Sequence, residues 1–267
     1  MASAYRNWKL ETDADNIVWL SLDKAGASAN VLSAEVMSEL DRIVDELNQQ
    51  KPRGLIIRSA KESGFIAGAD VEEFTKIKDA DDAMRMVRRG WDLYNKVAAL
   101  PFPTLALVNG FCMGGGTELA IACRYRIAVD QPGTRFALPE VMLGILPGWG
   151  GVMRLPRLVG PTTALDMLLT GRAVGADEAI AIGLATRKVA RGTTRAAAET
   201  LAREIAGFPP VAMASDRRSA YESFDRDQQA AVRREMELSL AARRQEAQKG
   251  AARFAGGEGR HGKFERH

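Results

Sequence analysis

The stretch Asn109-Gly110-Phe111-Cys112-Met113-Gly114-Gly115-Gly116-Thr117-Glu118 follows an apolar run from Thr104 to Val108 and reads as a strand delivering a glycine loop to a helix start. Three consecutive glycines remove every Cβ from the turn, so backbone N–H groups can approach a bound group closely, and the helix that follows adds its positive end. Such a loop suits developing negative charge. Glu118 falls in the first turn of the helix predicted over 118–123, and a carboxylate beside an anion site points to proton chemistry. Taken alone, the glycine run also fits a tight turn or close packing of a helix on a strand, and an early glutamate also fits a helix dipole.

On the amino-terminal side, Asn16 to Leu22 is apolar nearly throughout and suits a strand buried on both faces. Ser33 is placed to cap a helix reaching Gln50, with Val36, Met37, Leu40, Ile43, Val44 and Leu47 on one stripe. A strand over 54–59 leads into a loop, Lys61 to Asp70, whose segment Phe65-Ile66-Ala67-Gly68-Ala69-Asp70 again offers backbone amides to a ligand. A helix over 80–100 carries Met84, Val87, Trp91, Tyr94 and Val97 at helical spacing and stops before Pro101 and Pro103. Strand, ligand loop and helix form a repeating unit. This alternation argues for α/β layers with parallel strands whose carboxyl-end loops gather on one side, and it predicts that the two amide loops converge.

On the carboxyl side, strands are predicted over 125–129 and 134–138, and Pro139-Glu140 opens a short helix with proline in its favoured first position. Glu140 thus repeats the placement of Glu118. Ile145-Leu146-Pro147-Gly148-Trp149-Gly150-Gly151 is a rigid loop before another helix, and its Trp149 is either core or pocket wall. Further helices are predicted over 162–169, 176–182 with Gly183 as the stop, and 194–206. Past Pro209-Pro210 the pattern is wholly helical, which divides the chain into an α/β core, 1–208, and a charged helical appendage, 209–267, that packs on another surface.

Composition narrows the chemistry. With 267 residues, 46% of them hydrophobic and 27% charged, the chain can bury a substantial core. No apolar run approaches the roughly 20 residues of a membrane span, and Met1 to Arg6 begins no apolar signal sequence, so a cytoplasmic protein is expected. Cys112 and Cys123 lack a metal-ligand pattern and read as reduced core thiols. Both histidines, His261 and His267, fall in the terminal tail, which excludes a Ser-His-Asp triad, a Cys-His pair or a histidine metal cluster inside the main body. Acid-base work is left to carboxylates. The net charge of +3 belongs to the tail, since residues 217–267 hold 12 basic against 8 acidic side chains; this reads as a solvated face or as a surface that meets phosphates.

Phe65 to Asp70, Asn109 to Glu118, and Phe136-Ala137-Leu138-Pro139-Glu140 with Pro147-Gly148-Trp149-Gly150-Gly151 resemble the signature stretches of the crotonase (enoyl-CoA hydratase/isomerase) superfamily, in order and over nearly the whole chain. Tyr125-Arg126-Ile127-Ala128 and Leu138-Pro139-Glu140-Val141-Met142-Leu143-Gly144 resemble in particular the hydratase half of multifunctional fatty-acid oxidation proteins. The resemblance implies an α/β crotonase-type spiral of ββα units with a helical C-terminal region that builds trimers or paired trimers. It implies an oxyanion hole from the amides of Ala69 and Gly115, with Glu118 and Glu140 as the catalytic carboxylates. Coenzyme A or substrate contacts are implied for Ser28, Ala29, Val31, Ile66, Ala67, Gly68, Asp70, Gly114 and Trp149, and for Phe254, which in relatives reaches a neighbouring subunit's site.

Both glutamates being present favours hydration of a 2-enoyl-CoA in fatty-acid β-oxidation or a related degradation; a Δ3,Δ2-enoyl-CoA isomerase, an RNA-binding relative or an inactive crotonase fold are the alternatives. No cofactor or metal is implied, coenzyme A being part of the substrate. The implied partners are acyl-CoA and further copies of the chain, with no membrane and no nucleic acid. Acyl length is expected to be limited by Trp149, Phe74 and the helix after it. The chain departs from the family pattern at Ser28, where many members carry a basic residue, at Arg124, where an acid is common, and at Gly257, where a lysine often follows Phe254; there either Arg260 or Lys263 takes its place or these residues are a solvated tail.

Overall fold

The computed structural model describes residues 5–258. The chain begins with β1 (Trp8–Thr12), β2 (Ile17–Leu22), α1 (Ala34–Gln50) and β3 (Gly54–Ser59), followed by β4 (Gly64–Ile66), α2 (Val71–Phe74) and α3 (Ala80–Ala99). Then come β5 (Thr104–Val108), β6 (Phe111–Met113), α4 (Gly115–Ala122), β7 (Tyr125–Asp130), β8 (Arg135–Ala137) and a 3-10 turn, Pro139–Leu143. α5 (Gly151–Val159), α6 (Pro161–Thr170), β9 (Val174–Gly175), α7 (Ala176–Ala181), β10 (Arg187–Ala190) and α8 (Thr194–Ala206) complete the α/β part.

The strands form two sheets. The larger has the order β1-β2-β3-β5-β7-β10, antiparallel only at β1–β2. The smaller has the order β4-β6-β8-β9, with β4, β6 and β8 parallel. β3-β4, β5-β6 and β7-β8 therefore each give one strand to each sheet before a helical return, which is the expected spiral of ββα turns. Two segments expected as loops, within 61–70 and at 111–113, contain β4 and β6 instead. Three-residue strands are too short to leave an alternation in sequence, and their pairing comes from the neighbouring turn.

Local chemistry accounts for the elements. Ile17 to Leu22 is buried at every position, as a strand paired on both edges and covered on both faces requires. Ser33 caps α1 by accepting from the Val36 N–H, and Val36, Met37, Leu40, Ile43, Val44 and Leu47 are its buried face. α3 follows its stripe only in part. Leu93, Tyr94 and Val97 are buried, whereas Met84 and Val87 near its start are exposed, so the first half of that stripe faces outward.

The chain divides into two compact units between Ala202 and Arg203, inside α8, a few residues before the boundary expected at Pro209. The second unit contains α9 (Pro210–Ser223), α10 (Gln228–Ala242), a π-helical turn, Arg243–Ala247, and α11 (Gln248–Ala255). Glu246 accepts from the N–H groups of Val211 and Ala212 at the start of α9, while Arg218, Arg226 and Arg234 converge on Glu222. Ile205 and Leu238 are the buried apolar side chains of this unit among the described residues, while Tyr221, Phe224, Val232, Met236 and Leu240 are exposed.

Candidate active site

The parallel strands of the small sheet end side by side, and each delivers one segment: β4 the loop Ala67 to Asp70, β6 the pair Gly114-Gly115, and β8 the turn that carries Glu140. The two amide loops converge. A Cβ on Gly68 would lie 3.4 Å from Met113 O, and one on Gly114 would lie 3.8 Å from Gly68 Cα. Gly68 has φ +114° and Gly114 φ +50°, both in the region that favours glycine.

Leu32 N donates to Gly68 O and Asp70 N donates to Leu32 O, so Ala69 turns its own N–H away from that bridge. Gly115 is the first residue of α4, which begins three residues earlier than expected, and its N–H is one of the unsatisfied donors at the helix start. Gly115 O in turn accepts from the buried Tyr94 hydroxyl at 2.8 Å. Gly114 N donates to Ala137 O at 3.0 Å, and Thr117 Oγ1 lies within hydrogen-bonding distance of Cys112 O and Ala137 O, which ties the ends of β6 and β8 to the start of α4.

Glu118 remains in the first turn of α4 and is 2% exposed. Its Oε1 accepts from the backbone N–H of Trp149 at 2.7 Å and of Gly151 at 2.8 Å. Burial pushes its carboxyl up to about 7; the Gly151 bond opposes that rise, the nearby Glu140 reinforces it, and the Trp149 bond and Arg154 oppose it. Glu140 is likewise raised to about 7 by burial, and its Oε2 is buried without a hydrogen-bond partner among the described residues. The two carboxyls differ in support. Donors that bond Glu118 favour its ionised form, and nothing comparable holds Glu140 Oε2.

Trp149 belongs to the core. It is 8% exposed, its ring meets Tyr94 edge-on at 5.7 Å, and a Cβ on Gly90 or Gly115 would strike it at 2.3 or 2.6 Å. Beside it, an opening of about 470 Å³ is lined by Met84, Val87, Trp91 and Gly148, the outward part of the α3 stripe.

The remaining expected contacts fall into three places. Ser28 and Ala67 are exposed, and Ala29, Val31 and Ala69 are partly buried, along the bridge of Leu32 with Ala69. Ile66 is fully buried, with its side chain against the Gly116 position, so it supports the amide loop from behind; Asp70 caps α2 and pairs with Lys24 at 2.9 Å. Phe74 is partly buried at the end of α2. Phe254 lies on α11 in the second unit and is exposed, while Arg260, Lys263, His261 and His267 fall outside the described residues. At the other departure, the Arg124 guanidinium bonds Leu100 O, and the buried Arg126 takes the α4-end carbonyl of Cys123 at 2.8 Å.

Gly151 and Tyr94 join the site through contacts that local sequence does not signal. The Gly150-Gly151 pair reads as a loop, but the grip of its amide on Glu118 depends on a contact 33 residues away in the chain. Both cysteines are buried and free, with their thiols pushed up to about 12 by burial. Among the described residues, no group of three or more His, Cys, Asp or Glu is placed to hold a metal ion, and no helix is long and apolar enough to cross a membrane.

The sequence profile of the enoyl-CoA hydratase/isomerase family matches residues 14–266. The fold is similar to that of an enoyl-CoA hydratase from Bacillus anthracis, with a TM-score of 0.85 and 30% identity over 94% of this chain and 96% of that one. It is also similar to DspI of Pseudomonas aeruginosa (TM-score 0.85, 29% identity, 96% and 97% covered) and to an enoyl-CoA hydratase of Mycobacterium smegmatis (TM-score 0.86, 25% identity, 98% and 99% covered). Spiral fold, strand-end amide loops and family profile agree: the chain belongs to the crotonase superfamily of enoyl-CoA hydratases and isomerases.

Proposed function

We propose that the protein adds water across the 2,3 double bond of a 2-enoyl-CoA to give a 3-hydroxyacyl-CoA. The observation that carries this reading is the pair Glu118 and Glu140, two buried carboxyls both raised to about 7, beside the amide loops of Ala69 and Gly115. The thioester oxygen takes the N–H groups of Ala69 and Gly115, where enolate charge develops as water attacks C3; one such donor contributes about 10²–10³ in rate. Glu118, held ionised by Trp149 and Gly151, takes the proton of the attacking water. Glu140, whose Oε2 is buried without a donor among the described residues, is the member of the pair assigned the proton and delivers it to C2. Two neighbouring carboxyls resist ionising together, which keeps one proton on the pair.

Coenzyme A then lies along Ser28, Ala29, Val31 and the Ala67 to Asp70 loop, with no further cofactor. The second unit, rich in exposed apolar side chains, serves trimer or hexamer assembly, with Phe254 directed to a neighbouring copy's coenzyme A. Fatty-acid β-oxidation in the cytoplasm is the setting. The second reading is Δ3,Δ2-enoyl-CoA isomerisation, favoured by the unpartnered Glu140 Oε2, which could shuttle a proton with no activated water.

Loss of the conjugated enoyl-thioester absorbance from crotonyl-CoA and from a long-chain 2-enoyl-CoA tests the proposal. Turnover is expected, and Glu140→Gln abolishes it. Glu118→Gln separates the two readings: hydration collapses by about 10²–10⁴, whereas an isomerase relying on Glu140 retains most of its rate on a 3-enoyl-CoA. Absence of turnover on both 2-enoyl substrates sinks the hydratase reading.

A further inference from the structure

Side-chain alternation divides the large sheet between two faces. Val18, Leu20, Leu55, Ile57, Ala106 and Ala128 point into the main core, which also holds Leu119 of α4. Trp19, Ser21, Arg58, Leu107 and Val129 take the reverse face, where Arg195 of α8 reaches Trp19. On that reverse face, a crevice of about 390 Å³ opens at the carboxyl ends of β3, β5, β7 and β10. Arg58, Ser59, Asn109, Gln131, Arg191 and Thr194 line it.

The charge in this crevice is unbalanced. Arg58 is held in place, with Nε donating to Ser21 Oγ at 2.7 Å and its guanidinium 5.2 Å over the Trp19 ring, yet among the described residues it has no carboxylate partner. Arg191 likewise has none. By contrast Arg195 is matched by Glu199 and Lys61 by Asp23, so those two cations are already satisfied. Among the described residues Glu62 is the single lining carboxylate, and it is exposed. α8 starts at Thr194 and adds the positive end of a thirteen-residue helix.

We propose that this crevice binds a phosphate-bearing anion at a site separate from the acyl-CoA cleft. The guanidinium fork matches phosphate oxygens bidentately, and the carboxyl ends of parallel strands beside a helix start are where such groups settle. A dianion balances both Arg58 and Arg191, whereas a single carboxylate leaves one of them uncompensated. The Asn109 amide, which donates to Lys61 O at 3.1 Å, and the Thr194 hydroxyl add polar groups on the walls, whereas the Ser59 hydroxyl is already taken up by Lys61 and Asn30.

Calorimetric titration of inorganic pyrophosphate into protein saturated with coenzyme A, at low salt, tests this. The expected result is one site saturating below about 1 mM, weakened about tenfold in Arg191→Gln and in Arg58→Gln, and weakened further as salt is raised. Arg191 is exposed, so its variant keeps the fold, and its turnover of crotonyl-CoA is expected to stay at the wild-type rate. Affinity in Arg191→Gln within about twofold of wild type overturns the site, whatever Arg58→Gln does. Failure to saturate by about 10 mM also overturns it, and binding seen only without coenzyme A returns the anion to the acyl-CoA cleft.

Discussion

Glu118 Oε1 lies 2.7 Å from the backbone nitrogen of Trp149, so the residue whose indole packs between Gly90, Gly115 and Tyr94 also holds the carboxylate beside it. Positioning and shape are therefore separable by mutation, because a side-chain change at 149 leaves the N–H in place. Trp149→Leu is expected to open the space between Gly90 and Gly115 and to raise kcat/KM for a long-chain 2-enoyl-CoA relative to crotonyl-CoA by about tenfold. Stability should fall by about 2–4 kcal/mol as the large side chain is lost. An unchanged ratio between the two substrates would mean that the acyl chain leaves the cleft elsewhere.

Gly114 makes the complementary case, in which backbone and the Glu140 carboxyl compete for one space. A Cβ there would sit 2.7 Å from Glu140 Oε1, and the residue's φ of +50° already disfavours a side chain. Gly114→Ala is expected to displace the Glu140 carboxyl and lower kcat by at least about 10², with a smaller change in KM. Steady-state kinetics on crotonyl-CoA, beside a melting curve showing a folded protein, would check this; a kcat within about threefold of wild type would mean that Glu140 is not the proton donor.

A third prediction concerns Arg126, 3% exposed, whose guanidinium serves the carbonyls of Leu184 and Cys123. Removing it leaves unsatisfied the Cys123 carbonyl at the end of α4, the helix that carries Glu118, and the Leu184 carbonyl beyond α7. Arg126→Ala is expected to cost about 2–4 kcal/mol in denaturant unfolding. A loss below about 0.5 kcal/mol would show that water can replace it.

How far the sequence reached follows from the range of the interactions involved. Ser33 capping α1, proline opening the turn before Glu140, and the buried run of β2 are local or periodic signals, and each element formed where its chemistry indicated. The convergence of Gly68 on Gly114 followed from parallel strands ending side by side. What stayed hidden is non-local: β4 and β6 exist through pairing rather than propensity, and Gly151 earns its place by reaching Glu118 across the fold. On α3, Met84 and Val87 kept the spacing of a core stripe while facing outward, because periodicity reports a face and not what covers it.

The carboxyl pair makes opposite demands on activity and stability as pH changes. The proposed hydration requires Glu118 ionised and Glu140 protonated, and both carboxyls are raised to about 7, so on that mechanism kcat is expected to follow a bell centred near neutrality. Stability behaves differently. Burial raises both folded-state values from 4.5, so between pH 4.5 and about 7 the folded protein holds protons that the unfolded chain has released. The contribution of these groups to stability therefore falls as pH rises through that window and stays low above it. Glu140→Gln removes one ionisable partner. At pH 8 the variant is expected to be more stable than wild type by about 1–3 kcal/mol, while at pH 4 the two unfold together. Denaturant unfolding at both pH values checks this, and a variant no more stable at pH 8 would mean that Glu140 ionises without cost and cannot be the group held protonated.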